Sequence, residues 1–123
     1  LNGPMLGVPS VVGLASTIVP TLLTLKNFSL ADRDGSEDLS LQLLTNTTKL
    51  AQVAAGGVEL VSYVAVDGRN VYDIPVVDAF AITLLPEYGW SDETEVELVA
   101  TATEKSTGFF NATSRKVLVQ AYM

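Results

Sequence analysis

The densest chemistry on the chain is Asp32-Arg33-Asp34-Gly35-Ser36-Glu37-Asp38, four carboxylates within seven residues. Carboxylates this close repel one another unless a cation or protons neutralise them. A hard divalent cation takes about six to eight oxygens in flexible geometry, and acidic side chains with backbone carbonyls around a turn supply them. The spacing is not that of an EF-hand, which has Gly sixth and a bidentate Glu twelfth. Counted from Asp32, Gly35 is fourth and the twelfth residue is Leu43. The competing reading is a solvated Asx-type turn. A second acidic group, Asp92, Glu93, Glu95 and Glu97, raises paired-carboxylate glycoside hydrolysis, which needs two acids flanking one bond. Glu95 and Glu97 alternate onto the outer face of a strand with nothing apolar to enclose them. Cross-strand pairing with Arg115 and Lys116 is therefore the better expectation.

Other chemistry is excluded by what the chain lacks. It has no His and no Cys, which removes the commonest general base, the commonest metal ligand, thiol nucleophiles and disulfides. No Ser-x-x-Lys arrangement is present to activate a hydroxyl without His. The expectation is therefore that this is not an enzyme. Seven Lys plus Arg against fourteen Asp plus Glu give a net charge of −7. Seven scattered cations make no basic patch, so nucleic acid and anionic membranes are poor partners. Among the aromatics, Trp90 beside Tyr88, with Tyr63 and Tyr72, could stack on a sugar or anchor an interface; the stronger expectation for Trp90 is core or core rim. Asn27-Phe-Ser29, Asn46-Thr-Thr48 and Asn111-Ala-Thr113 match the N-glycosylation acceptor pattern.

The elements that must position these groups read as strands. At 123 residues a single domain is expected, folding to roughly 6,400 Å² of accessible surface and burying about two-thirds of the unfolded surface. The segment from Leu1 to Leu25 is uncharged, but Pro4, Pro9 and Pro20 with Gly3, Gly7 and Gly13 interrupt any helix. It reads as extended chain, with no membrane insertion: 1–12 an extended linker or lead-in strand, 13–123 the domain. So long an uncharged stretch also suggests donation to a neighbour's sheet edge. Leu39 to Leu43 alternates strictly, with Leu39, Leu41 and Leu43 inward. Val58–Val66 and Asn70–Val77 flank a hairpin turn at Asp67-Gly68-Arg69. Ala79–Leu85 is a further run closed by Pro86. Thr94–Thr103 places Val96, Leu98, Ala100 and Ala102 inward, and Phe110–Tyr122 does the same with Val117, Val119 and Ala121. Thr47–Ala55 could make one helical turn. Seven or so strands spaced by about 10 residues indicate an all-β sandwich with Greek-key links, a small closed barrel being the alternative.

Leu30-Ala-Asp-Arg-Asp-Gly-Ser-Glu-Asp-Leu-Ser40 resembles the D-x-D-G-S-E-x-L-S signature of the cadherin-like, immunoglobulin-like repeats in large RTX-type bacterial surface adhesins. Ala65–Pro75 is similar to that family's mid-domain hairpin, Ile82–Trp90 to its I-x-L-x-P stretch, and Leu98–Gly108 to its V-x-A-T-A-T-E strand and following loop. Together these span roughly residues 13 to 121. The resemblance implies an Ig-like or cadherin-like antiparallel β-sandwich of about seven strands. It also implies an extracellular, cell-surface setting and a role as one link of a longer chain or filament, with neighbouring modules as partners. Calcium would stiffen the links, with Asp32, Asp34, Glu37 and Glu104 as the implied ligands. The family carries an acidic pair where this chain reads Gly13-Leu14-Ala15-Ser16, which implies a weakened site. The alternative function is an adhesin domain that binds a glycan or peptide through its loops or aromatics.

Overall fold

The computed structural model describes residues 4–14, 18–29, 37–46 and 50–121. The two long strands that organise the fold are β11 (Asp92–Glu104) and β12 (Phe110–Ala121), numbered here in chain order. Their strict alternation of apolar and polar residues commits one face of each to burial. Val96, Leu98, Ala100, Ala102, Val117, Val119 and Ala121 are all buried, as the alternation predicts. The two strands pair antiparallel in unbroken register from Asp92↔Ala121 to Thr103↔Phe110. On the far side of β11 lies β5 (Glu37–Thr45), then β9 (Asn70–Ile74) and the short β8 (Tyr63–Val64). On the far side of β12 lies β2 (Val11–Leu14). These make one six-stranded sheet, β2-β12-β11-β5-β9-β8.

The second layer is a four-stranded sheet, β3-β10-β6-β7, built from Thr21–Leu23, Ile82–Pro86, Leu50–Ala55 and Val58–Glu59. A two-stranded ladder of β1 (Met5–Gly7) and β4 (Asn27–Ser29) completes the strands. Leu23, Val53, Ala55, Ile82 and Leu84 from the second layer join Leu41, Leu43, Ile74, Val96, Leu98 and Val117 from the first in a single apolar cluster. The molecule is thus an all-β sandwich with one core, exposing 6710 Å². Seven strands carry the architecture: β2, β3, β5, β6, β10, β11 and β12. Taken in chain order as A to G they give sheets B-E-D and A-G-F-C, the immunoglobulin-like Greek-key arrangement. The β8–β9 hairpin is inserted between the fourth and fifth of them. The closed-barrel alternative falls, because the two layers are separate sheets among the described residues.

Several local expectations change. One ladder is parallel: β2 runs alongside β12 in the same direction, Val11↔Leu118 through Leu14↔Ala121. Val58–Val66 is not one strand. A turn at Gly56-Gly57 folds β7 back on β6, Leu60 packs on the core, and the chain then crosses layers to form β8. The helical turn expected at Thr47–Ala55 is strand β6 over its described part. Val53 and Ala55 must face inward, where they pair with Leu84 and Ile82, and that pairing overrides a weak helical propensity. Residues 47–49 lie outside the described residues. The strand expected to reach Val77 stops at Ile74. Pro75 cannot donate to a ladder, and Val76–Asp78 forms a 3₁₀ turn in which Asp78 N–H bonds the Pro75 carbonyl at 2.9 Å. Leu39 is only half-buried, near the open end of the sandwich. In the described part of the N-terminal segment, β1, β2 and β3 pair with β4, β12 and β10 of the same chain. Strand β2 runs through positions 12 and 13, so the lead-in strand is continuous with the sandwich.

Candidate functional site

The acid-bearing end of the sandwich is built by the ends of two neighbouring strands. Glu37 opens β5, Glu104 closes β11, and the register pairs them directly. Residues two apart share a face, so both follow Leu39, Leu41, Ala100 and Ala102 onto the core side of the sheet. There Glu37 is only 7% exposed. Opposed side chains in such a ladder stand about 5 Å apart at Cβ, and like charges so placed are destabilising. Asp38, on the outer face opposite Thr103, has the Lys105 ammonium 3.8 Å away. Ser106 Oγ donates to Glu104 Oε1 at 3.0 Å. Two of the four implied calcium ligands, Glu37 and Glu104, are therefore brought together. Asp32 and Asp34 lie outside the described residues. Among the described residues no group of three or more metal-ligating side chains forms. A buried carboxylate facing a second one suits a hard cation in its donor chemistry.

Ala15 and Ser16, where the resemblance implies a missing acidic pair and a weakened site, lie outside the described residues.

The second acidic group is organised by a cation that the sequence reading did not assign. Arg69 closes the β8–β9 hairpin, where Gly68 adopts φ +90° and its N–H bonds the Ala65 carbonyl at 2.9 Å. Its guanidinium reaches Glu97 through Nη1 and Asp67 through Nε, each at 2.8 Å. Lys116 Nζ lies 3.7 Å from Glu95, as expected. Arg115, the other expected partner, instead donates to its own neighbour, the Ser114 carbonyl. Arg115 is opposite Leu98 in the register, one position out of step with Glu97. The Arg69 backbone N–H and guanidinium together hold the Asp67 carboxyl below the usual carboxylate range. The Glu97 and Asp67 hydrogen bonds raise Arg69 above its ordinary value. An open cleft of about 370 Å³ lies here, walled by Leu44–Asn46, Arg69, Thr94–Glu97 and Lys116. Both strand carboxylates in it already face a cation, an arrangement that braces the sheet.

Trp90 is half-buried and packs on the core, as does Tyr72. Tyr88 is 93% exposed. Tyr63 shares a hydrogen-bonded cluster with Gln42 and Asp73 (3.0 and 3.2 Å), and partial desolvation followed by the Asp73 charge raises its phenol. The sequence reading missed Phe109 and Phe110, which are 71% and 70% exposed at the turn beside Glu104. Two adjacent Phe after Gly108 would have been the available signal. Of the glycosylation patterns, Asn27 and Asn46 are exposed and Asn111 is half-buried in β12. No helix among the described residues is long and apolar enough to cross a membrane.

The two sheets define the molecule as an all-β sandwich, with its seven principal strands in an immunoglobulin-like order. No family model matches the chain, and no curated protein or solved structure matches it significantly.

Proposed function

We propose that this domain is a structural, adhesive link in a longer extracellular surface or filament protein, stiffened by calcium at the end that carries Glu37 and Glu104. The observation that carries this reading is that Pro4 and Ala121 stand toward opposite ends of the sandwich. The Pro4 carbonyl accepts a hydrogen bond from Thr113 Oγ1 at 2.7 Å, near the Phe110 end of β12. Ala121 closes β12 at its other end. Eight strand residues separate the two positions, about 26 Å of rise. A polypeptide that continues in both directions thus enters near one end of the sandwich and leaves at the other, the geometry of a spacer. The entry end also presents Phe109 and Phe110, apolar side chains available to abut a neighbouring module. Calcium there would neutralise two opposed carboxylates; Glu37 and Glu104 would hold it from this chain's strands, with Asp32 and Asp34 as the further implied ligands.

The test joins two copies in tandem and compares calcium with a chelator. At a calcium concentration ten times a dissociation constant of about 10⁻⁴ to 10⁻³ M, linkage adds about 1.4 kcal/mol of stability. That raises the melting midpoint by several degrees. Glu37→Gln with Glu104→Gln abolishes the rise. Small-angle scattering of the tandem in calcium should give a maximum dimension near twice that of one copy. A compact, folded-back tandem removes the spacer reading, and an unchanged melting midpoint removes the ion.

A further inference from the structure

The inserted hairpin and its two crossovers leave one flank of the sandwich unusually apolar. Eight of the sixteen exposed large hydrophobic residues among those described come from residues 58–80 alone, chiefly Val58, Val61, Val64, Val66, Val77 and Phe80. The topology gathers them. Residues 60–62 cross from edge strand β7 of one layer to edge strand β8 of the other, and residues 75–81 cross back from β9 to β10. The two crossovers close the same side of the sandwich. Gly56 N–H bonds the Ala81 carbonyl at 3.2 Å, and a Cβ on Gly56 would meet the Asp78 carboxylate, so the β6–β7 turn lies against the second crossover.

We infer that this flank is a homodimer interface, occupied by the same flank of a second copy of this chain. Three observations point to a second copy. Summed as whole residues, these eight exposed positions present on the order of 900 Å², above the roughly 300–600 Å² of a typical monomer's largest patch. That area is close to the roughly 800 Å² per partner of a standard-size interface. The flank also ends in an open sheet edge: β8 pairs only with Asn70 and Val71, and no described strand pairs with Tyr72–Ile74 on that side. An antiparallel edge placed across a two-fold axis is its own complement, so no second matching surface is needed. Finally, two of the four carboxylates in residues 58–80 are engaged within their own chain, Asp67 by the Arg69 cation and Asp73 by the neutral donors Gln42 and Tyr63, while Glu59 is exposed beside Val58. The flank is lateral, away from both ends of β12, so this interface stands apart from the spacer reading and does not depend on calcium.

Sedimentation equilibrium from about 1 to 200 µM tests the inference on the chain as it stands. The expected result is a reversible monomer–dimer equilibrium, insensitive to chelator. It should tighten as salt rises, because each copy carries a net charge of −7 and screening weakens the repulsion between them. Val61→Asp with Val77→Asp, at positions 89% and 92% exposed, should weaken association at least 100-fold at an unchanged melting midpoint. Tyr88→Asp, on another exposed loop, should leave it unaltered. A monomer at every concentration overturns the inference, as does a dimer that survives the paired Val substitutions or is lost with Tyr88→Asp.

Discussion

Leu98→Ala should destabilise the domain by about 3–5 kcal/mol, the largest effect of any single side-chain truncation proposed here. Leu98 sits midway along β11 with no exposed surface. Its register neighbour on β5 is Leu43, also fully buried, and both belong to the cluster that joins the two layers. Truncation removes three buried carbons and leaves a void walled by backbone on the β11 side. A central strand paired on both sides has little freedom to collapse into that space, which puts the expected cost in the upper part of the range. Urea denaturation measures it: the midpoint should fall with an unchanged m-value, since the surface exposed on unfolding is nearly the same. Total stabilities of domains are only about 5–15 kcal/mol, so the variant should be close to unfolded at 37 °C. A loss under 1 kcal/mol would mean that the two layers do not share the core described above.

Gly56→Val should cost about 3 kcal/mol through a different route, backbone strain joined to a clash. Gly56 adopts φ +59°, a conformation that a β-branched residue resists. A Cβ at this position would also lie 2.6 Å from the Asp78 carboxyl carbon. Asp78 can swing aside, so the two contributions are separable. Gly56→Val combined with Asp78→Ala should recover the steric part, and the backbone part should remain. Thermal unfolding of both variants reads the difference. Equal midpoints would show that the close approach of the β6–β7 turn to the second crossover contributes nothing. Because that turn directs Leu60 to the core and the chain on to β8, the single variant should also loosen the β8–β9 hairpin. Faster amide exchange at Val71 would report this.

The sandwich was legible where burial is one-sided. In β11 and β12 the alternation of Glu and Thr with Val, Leu and Ala announces strand, face and extent together, because a slip of one residue would expose the whole apolar set. The Asp67-Gly68-Arg69 turn was legible for a comparable local reason, a residue free to adopt positive φ between two β-prone runs. Reading failed where local signals were ambiguous. Leu50–Ala55 carries three Ala beside Val and Leu, compatible with helix or strand, and pairing with β10 decided it. Val58–Val66 looks uniform in sequence, yet it is shared between the two layers because Gly56-Gly57 reverses the chain just before it.

For the candidate site the division is sharper. Composition and spacing determined that acidic groups collect at 32–38 and 92–97, that His and Cys chemistry is absent, and that strands must carry whatever chemistry remains. These follow from residue type and period alone. Only the tertiary structure decided that Glu37 and Glu104, 67 positions apart in sequence, face each other on the core side of one sheet. It likewise decided that Glu97 takes its cation from a hairpin turn and not from Arg115, and that the apolar residues of 58–80 stay on an outer flank. Each of these depends on strand register and on how the chain passes between layers. Both are set by burial summed over the whole sandwich, which no short stretch of residues contains.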